Sequence, residues 1–171
     1  MRSAPEQPVV FQLFSEAHRE QLLALWHACD LIRPWNDPED DIRQCISNPS
    51  SSLLLAITQE GLKGSVMMGC DGHRGWIYYL AVDPQCRHQG LGRALMAQAE
   101  NWMRERGVPK LHALIRADNL AVRSFYGRLG YRDGDVQLSR RCVTSPLCVK
   151  KWVRPRVVRA TPSNGPAAVP R

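Results

Sequence analysis

Leu80-Ala81-Val82-Asp83-Pro84-Gln85-Cys86-Arg87-His88-Gln89-Gly90-Leu91-Gly92-Arg93-Ala94-Leu95 is the stretch on which the reading of this chain turns. An apolar, strand-like run stops at Asp83-Pro84. A loop with two glycines follows, and then a helical pattern opens. The first turn of a helix carries N–H groups with no partner inside the helix, and the helix dipole adds partial positive charge there, so such a junction favours an anion. Gly90 and Gly92 remove side chains where a phosphate would touch backbone, and Arg87 and Arg93 add positive charge. The competing reading is a plain loop-to-helix junction with glycines for tight turning. No Gly-Lys-Ser/Thr follows, so this is not a Walker loop, and the full Gly-x-Gly-x-x-Gly fingerprint is missing as well.

Working outward, Val9–Phe14 reads as a first strand, with Ser15 placed to cap a helix whose apolar positions are Leu22, Leu25, Trp26 and Cys29. Asp37-Pro38-Glu39-Asp40 reads as a second helix start: a cap, a proline at the first helical position, and acids in the first turn. Ile42, Cys45 and Ile46 supply its buried side. Ser52–Gln59 and Leu62–Gly69 are strand-like runs joined at Glu60-Gly61, a hairpin signal. Asp71-Gly72-His73-Arg74-Gly75 is a loop before the run Trp76–Val82. A helix over Gly90–Arg106 stops at Gly107. A strand over Lys110–Arg116, a helix over Asn119–Leu129 and a last strand or strand pair over 131–141 complete an α/β chain of the α+β type. Its sheet is mixed and mostly antiparallel, flanked by about four helices.

The chain has 171 residues, enough to bury a core without disulfides or metal, and its 44% hydrophobic and 23% charged composition is that of a globular domain. Residues 1–8 read as a flexible start, 9–150 as one domain and 151–171 as a basic, proline-rich, disordered tail. The net charge of +7 is local. Residues 1–135 hold 15 Lys+Arg against 16 Asp+Glu, whereas residues 136–171 hold 8 Lys+Arg and no acid. The body is neutral, so the basic balance does not argue for nucleic acid, and the tail shows no recognition helix. The six cysteines form no Cys-x-x-Cys pair and have no histidine at zinc spacing, so no metal is expected. The start of the chain is polar and proline-broken, and no run reaches the ~20 apolar residues of a membrane span. A cytoplasmic protein with reduced thiols is the expectation, and a homodimer is left open.

Arg87-x-x-Gly90-x-Gly92 after a Val-Asp-Pro strand end resembles the cofactor signature of the GNAT N-acetyltransferases. Asp118-Asn119, Phe125-Tyr126 and Leu129-Gly130-Tyr131 resemble that family's second landmark, Asn-x6-Tyr-x3-Gly-Phe/Tyr. The resemblance covers roughly residues 9–141. Cys29–Pro38 and Asp71–Gly75 are further similar to segments of one bacterial member. The resemblance implies acetyl-CoA as cosubstrate and a sheet splayed at the cofactor strand. The backbone of Leu80, Ala81 and Val82 would pair with the pantetheine arm, and Arg87, His88, Gln89, Gly90, Leu91, Gly92 and Arg93 would hold the pyrophosphate. Asn119 would contact the cofactor, and Tyr126 would protonate the leaving thiolate. An amine attacks a thioester directly, so no protein nucleophile is required.

Many family members carry a glutamate base on one of the two splayed strands, but the matching positions here are Trp76 and Leu114. On the Asp71–Arg74 loop, His73 or Asp71 is the substitute base expected from this sequence, with His73 oriented by Asp71, or Asp71 is a clamp for a cationic amine, against the competing reading of a polar turn; water relay, another residue or a neutral substrate are the alternatives. Arg33, Trp35 and Asn36, between the first two helices, and Tyr79, on the cofactor strand, are the acceptor-side candidates. Tyr78 and Tyr79 should alternate faces. Trp26 and Trp102 read as core. The function expected is acetyl transfer to a primary amine of a small molecule or peptide. A catalytically weak acyl-CoA-binding regulatory module is the second reading, kept open by the absent glutamate.

Overall fold

The computed structural model describes residues 8–134. Five strands lie in the order β1-β2-β3-β4-β5. They are β1 Val10–Leu13, β2 Ser51–Thr58, β3 Gly61–Cys70, β4 Gly75–Val82 and β5 Leu111–Ala113. The first four are antiparallel neighbours, and β5 joins β4 in parallel. The helices are α1 Arg19–Ala28, α2 Pro38–Ser47, α3 Leu91–Glu105 and α4 Leu120–Arg128.

Each face of the sheet has its own core. Leu22, Leu25 and Trp26 of α1 and Ile42 and Cys45 of α2 pack with Leu53, Leu55, Met67 and Ala81. On the other face Leu91, Leu95, Met96, Ala99 and Met103 of α3 and Tyr126 of α4 pack with Leu54, Val66, Met68 and Ile77. Strand side chains alternate between faces, which is why neighbouring residues of β2 and β3 serve different cores.

The predicted helix starts are met in detail at α2. Asp37 Oδ1 accepts the Glu39 N–H at 2.9 Å, with Pro38 at the first helical position. Ser15 behaves differently: its hydroxyl pairs with His18 Nδ1 at 2.8 Å, and a 3-10 turn over Glu16–His18 precedes α1. The hairpin joins β2 and β3 through Gln59-Glu60, with Gly61 already in the strand at φ 110°. The strand expected over Lys110–Arg116 is shorter, and Tyr131–Gly134 form no strand. The rest of that last expected strand, like the tail, lies outside the described residues.

Two features shape β4. Opposite Met67–Ser65 of β3 the pairing steps from Tyr78 to Ala81, so β4 holds one extra residue, a β-bulge. Tyr79 sits there with φ 47°, a left-handed conformation costly for a bulky residue. β4 and β5 pair only through Gly75–Leu111, Trp76–His112 and Ile77–Ala113, and then part. Among the described residues, the edge of β4 from Tyr78 to Val82 has no strand partner on that side.

Candidate active site

The free edge of β4 leads into the glycine loop. Asp83 Oδ1 accepts the Gln85 N–H at 3.0 Å and starts a 3-10 turn over Pro84–Cys86. The chain then passes through His88 at φ 63° and Gly90 at φ 88°, and Gly90 caps α3. Left-handed residues interleaved with ordinary ones turn successive N–H groups toward one side, making a concavity for an anion. Among the described residues no hydrogen bond uses the N–H of any residue from His88 to Arg93; the first bonded one in α3 is Ala94, to Gly90 O at 3.0 Å. Six adjacent free donors at the head of a 15-residue helix fit a pyrophosphate. A side chain at Gly92 would approach the Phe125 ring to 3.3 Å and Val82 Cγ2 to 3.5 Å, so that glycine lets α3, α4 and β4 close together.

Arg87 does not reach into the loop. Its Nε donates to Val82 O at 3.3 Å, where the Cys29 thiol also donates at 3.2 Å. Gln89 folds back onto Gln85 O, and Arg93 is exposed. Leu80 and Val82 pack against the cluster that contains Tyr126. Tyr126 is 5% exposed, and burial pushes its phenol up to about 12. Its proton therefore stays on through neutral pH. The Asn119 side chain accepts the Val122 N–H at 3.2 Å, capping α4, so its carbonyl oxygen is engaged. Leu114, just past β5, is 54% exposed beside the gap and offers it an apolar wall.

The loop before β4 is organised around Asp71. Its Oδ1 accepts the N–H of His73 at 2.8 Å and of Arg74 at 2.6 Å, and its Oδ2 accepts Trp76 Nε1 at 3.2 Å. These bonds, Arg74's first, hold the carboxyl down to about 2. Asp71 thus binds the backbone N–H of His73, and among the described residues no hydrogen bond joins its carboxylate to the His73 ring. Trp76, at one of the two positions where a glutamate was sought, meets the His112 ring at a tilt of 39° with centroids 4.9 Å apart.

On the opposite side of the β4 bulge lies an open depression of about 360 Å³, lined by residues of α2, β2, β3 and β4. Tyr78 and Tyr79 both line it. The expected alternation fails at this point because the bulge adds a residue. Of the four acceptor-side candidates it receives Asn36 and Tyr79 but neither Arg33 nor Trp35. Arg33 is paired with Asp30 at 2.9 Å, and Trp35 is 37% exposed. The sequence reading missed Asp41, whose Oδ2 accepts the Tyr79 hydroxyl at 2.5 Å. Its position four residues before buried Cys45, on the flank of the apolar face of α2, was the available signal.

A sheet that opens at one strand, beside a helix head with free donors and a buried phenol, can take a ligand with an anionic group and an extended arm. The family model described as Acetyltransferase (GNAT) family matches residues 12–131, and the chain belongs to that family. It is an N-acetyltransferase. It is 41% identical over 133 residues to Acetyltransferase YE1169 of Yersinia enterocolitica, covering 77% of this chain and 94% of that one. Acetyltransferase ECA0875 of Pectobacterium atrosepticum matches with the same identity and coverage. Among solved structures, the aminoglycoside N-acetyltransferase AAC(6')-Iy in complex with CoA superposes with a TM-score of 0.69 at 14% identity, over 82% of this chain and 99% of that one. Glucosamine-6-phosphate N-acetyltransferase of Arabidopsis thaliana gives 0.64 at 15% identity, over 79% and 99%. At these identities the structural likeness establishes the fold.

Proposed function

We propose that this protein transfers the acetyl group of acetyl-CoA to a primary amine by direct attack on the thioester. The observation that carries the reading is the unpaired edge of β4 running into six free N–H groups at the head of α3. Acetyl-CoA supplies the activated acyl group. The N–H groups of residues 88–93 hold its pyrophosphate, and the open edge at Leu80, Ala81 and Val82 takes its pantetheine arm as an added strand would be taken. A backbone N–H on that edge stabilises the oxyanion formed when the amine adds to the carbonyl carbon. As the carbon–sulfur bond breaks, the Tyr126 hydroxyl gives its proton to the sulfur.

Asp71 is fully engaged in its turn, so we assign deprotonation of the acceptor to water in the open depression. His73 remains a residue of an exposed turn near the start of β4. A regulatory acyl-CoA-binding role would need no proton donor at the sulfur, and the buried, protonated Tyr126 favours catalysis.

Calorimetric titration tests the cofactor half of the reading. Wild-type protein should bind acetyl-CoA with micromolar-order affinity and gain thermal stability from it. Gly90→Asp places a carboxylate at the anion site, and adds strain at a positive φ, so it should lose that binding. Equal binding by a folded Gly90→Asp protein would remove the cradle from the account. Free thiol release with a panel of primary amines tests the acceptor half.

A further inference from the structure

Three acids occupy the first turn of α2, and two of them are neutralised, Glu39 by Arg19 and Asp40 by Arg43. Asp41 is set apart. Among the described residues it joins no ion pair, and its side-chain partners are neutral donors: the Tyr79 hydroxyl at 2.5 Å and the Asn36 amide at 3.5 Å. It lines the 360 Å³ depression, whose other walls contribute no acidic or basic side chain. Asn36, Gln44, Asn48 and Ser51 give this hollow neutral hydrogen-bonding groups, while Met67 and Tyr78 give it an apolar floor.

The carboxylate is held in a built setting. Tyr79 is stacked on Trp26 with ring centroids 4.0 Å apart. Trp26 Nε1 donates to Ser65 Oγ at 2.9 Å, and that hydroxyl donates to Tyr79 O at 3.3 Å. These contacts fix the bulge residue whose hydroxyl meets Asp41. Leu80, where the free edge continues, is the next residue along the chain. Asp41 is thus tied through the Tyr79 side chain to the strand whose edge takes the thioester arm in the acetyl-transfer reading.

We propose that this depression is the acceptor site and that Asp41 is its specificity-determining residue. It selects a small polar amine, bound in its ammonium form, with no carboxylate next to the amine, such as an amino amide or a hydroxylated amine; the nitrogen gives its proton to solvent in the open depression before it attacks the thioester carbon. Zwitterionic amino acids are disfavoured because their carboxylate would face Asp41. The inference rests on the acetyl-transfer reading above.

The test uses matched probes, glycinamide against glycine and L-serinamide against L-serine, with acetyl-CoA and the full chain. Wild type should favour each amide, and Asp41→Asn should shrink the amide-to-acid ratio of kcat/KM by about tenfold or more, mainly through KM. Acetyl-CoA affinity, measured by calorimetry, should not change in that variant. The members of a pair differ in amine basicity, so the change in the ratio on substitution is the decisive reading. Binding is also read without turnover, as amide shifts of Gln44, Asn48 and Tyr79 on NMR titration with the same probes. A ratio unmoved by Asp41→Asn overturns the assignment, and so does a depression that responds to neither member of any pair. Wild-type protein that fails to bind acetyl-CoA would overturn the acetyl-transfer reading and this inference with it.

Discussion

Tyr126 and Asp71 show how environment assigns work to side chains of ordinary chemistry. Burial disfavours the phenolate of Tyr126 and keeps its proton in place up to about 12. A proton donor to a thiolate needs that proton at working pH. Tyr126→Phe should lower kcat by roughly 10²-fold or more while acetyl-CoA affinity stays near wild type, the pattern of lost acid catalysis. An unchanged kcat, with chemistry shown to limit the rate, would take Tyr126 out of the mechanism. Asp71 is the opposite case. Two backbone donors and an indole N–H favour its charged form, so its folded pKa lies below the usual 3.8. The stabilisation this group gives the turn between β3 and β4 is therefore complete above its unfolded pKa and is lost as pH falls through about 2. A carboxyl-detected NMR titration should place Asp71 near that value, and Trp76→Phe should move it upward. An Asp71 midpoint at the ordinary carboxylate position would contradict the described turn.

At the scale of elements, β4 is irregular twice, at the bulge and at the parting from β5, and the proposed function rests on both. The bulge depends on Ser65, which is fully buried and accepts from Trp26 while donating to Tyr79 O. Ser65→Ala leaves the buried Trp26 N–H without its partner and should cost about 1–3 kcal/mol in denaturant unfolding. A loss within error of zero would show that the bulge holds itself. Element identities were legible in the sequence: Asp37-Pro38 started α2, Gly107 with φ 66° ended α3, and the apolar runs became the strands. What was not legible is what periodicity cannot carry. The pattern at Trp76–Val82 reads as an uninterrupted strand, and nothing local announces that Tyr79 will turn left-handed. Trp26 and Ser65, far away in the chain, supply the contacts that hold it so. β5 fell short of its predicted length because β4 bends away from it, which is a property of the pair.

Across the whole molecule the charges sort along one line. The glycine loop, with free N–H groups and Arg93 nearby, lies at the far end of the free edge, and Asp41 lies at the bulge where that edge begins. An anion is favoured at one end and a cation at the other, with Tyr126 in the core between the sheet and α4. The junction of glycine loop and helix head was readable from Arg87-x-x-Gly90-x-Gly92, because a helix head needs only local sequence. The cation end was not, because Asp41 was one of three acids in a turn where any of them suits the helix dipole. Arg43 lies one turn from Asp40 on the same helix, but only tertiary structure shows that Arg19 of α1 occupies Glu39.

The central claim is that acetyl-CoA lies along the free edge of β4 and on the head of α3. Site-resolved amide hydrogen exchange with and without acetyl-CoA tests it most directly. The account predicts added protection in two segments, Leu80–Val82 and His88–Arg93, with little change at β1 and β2. Protection that leaves both segments at their ligand-free rates and appears elsewhere would contradict it.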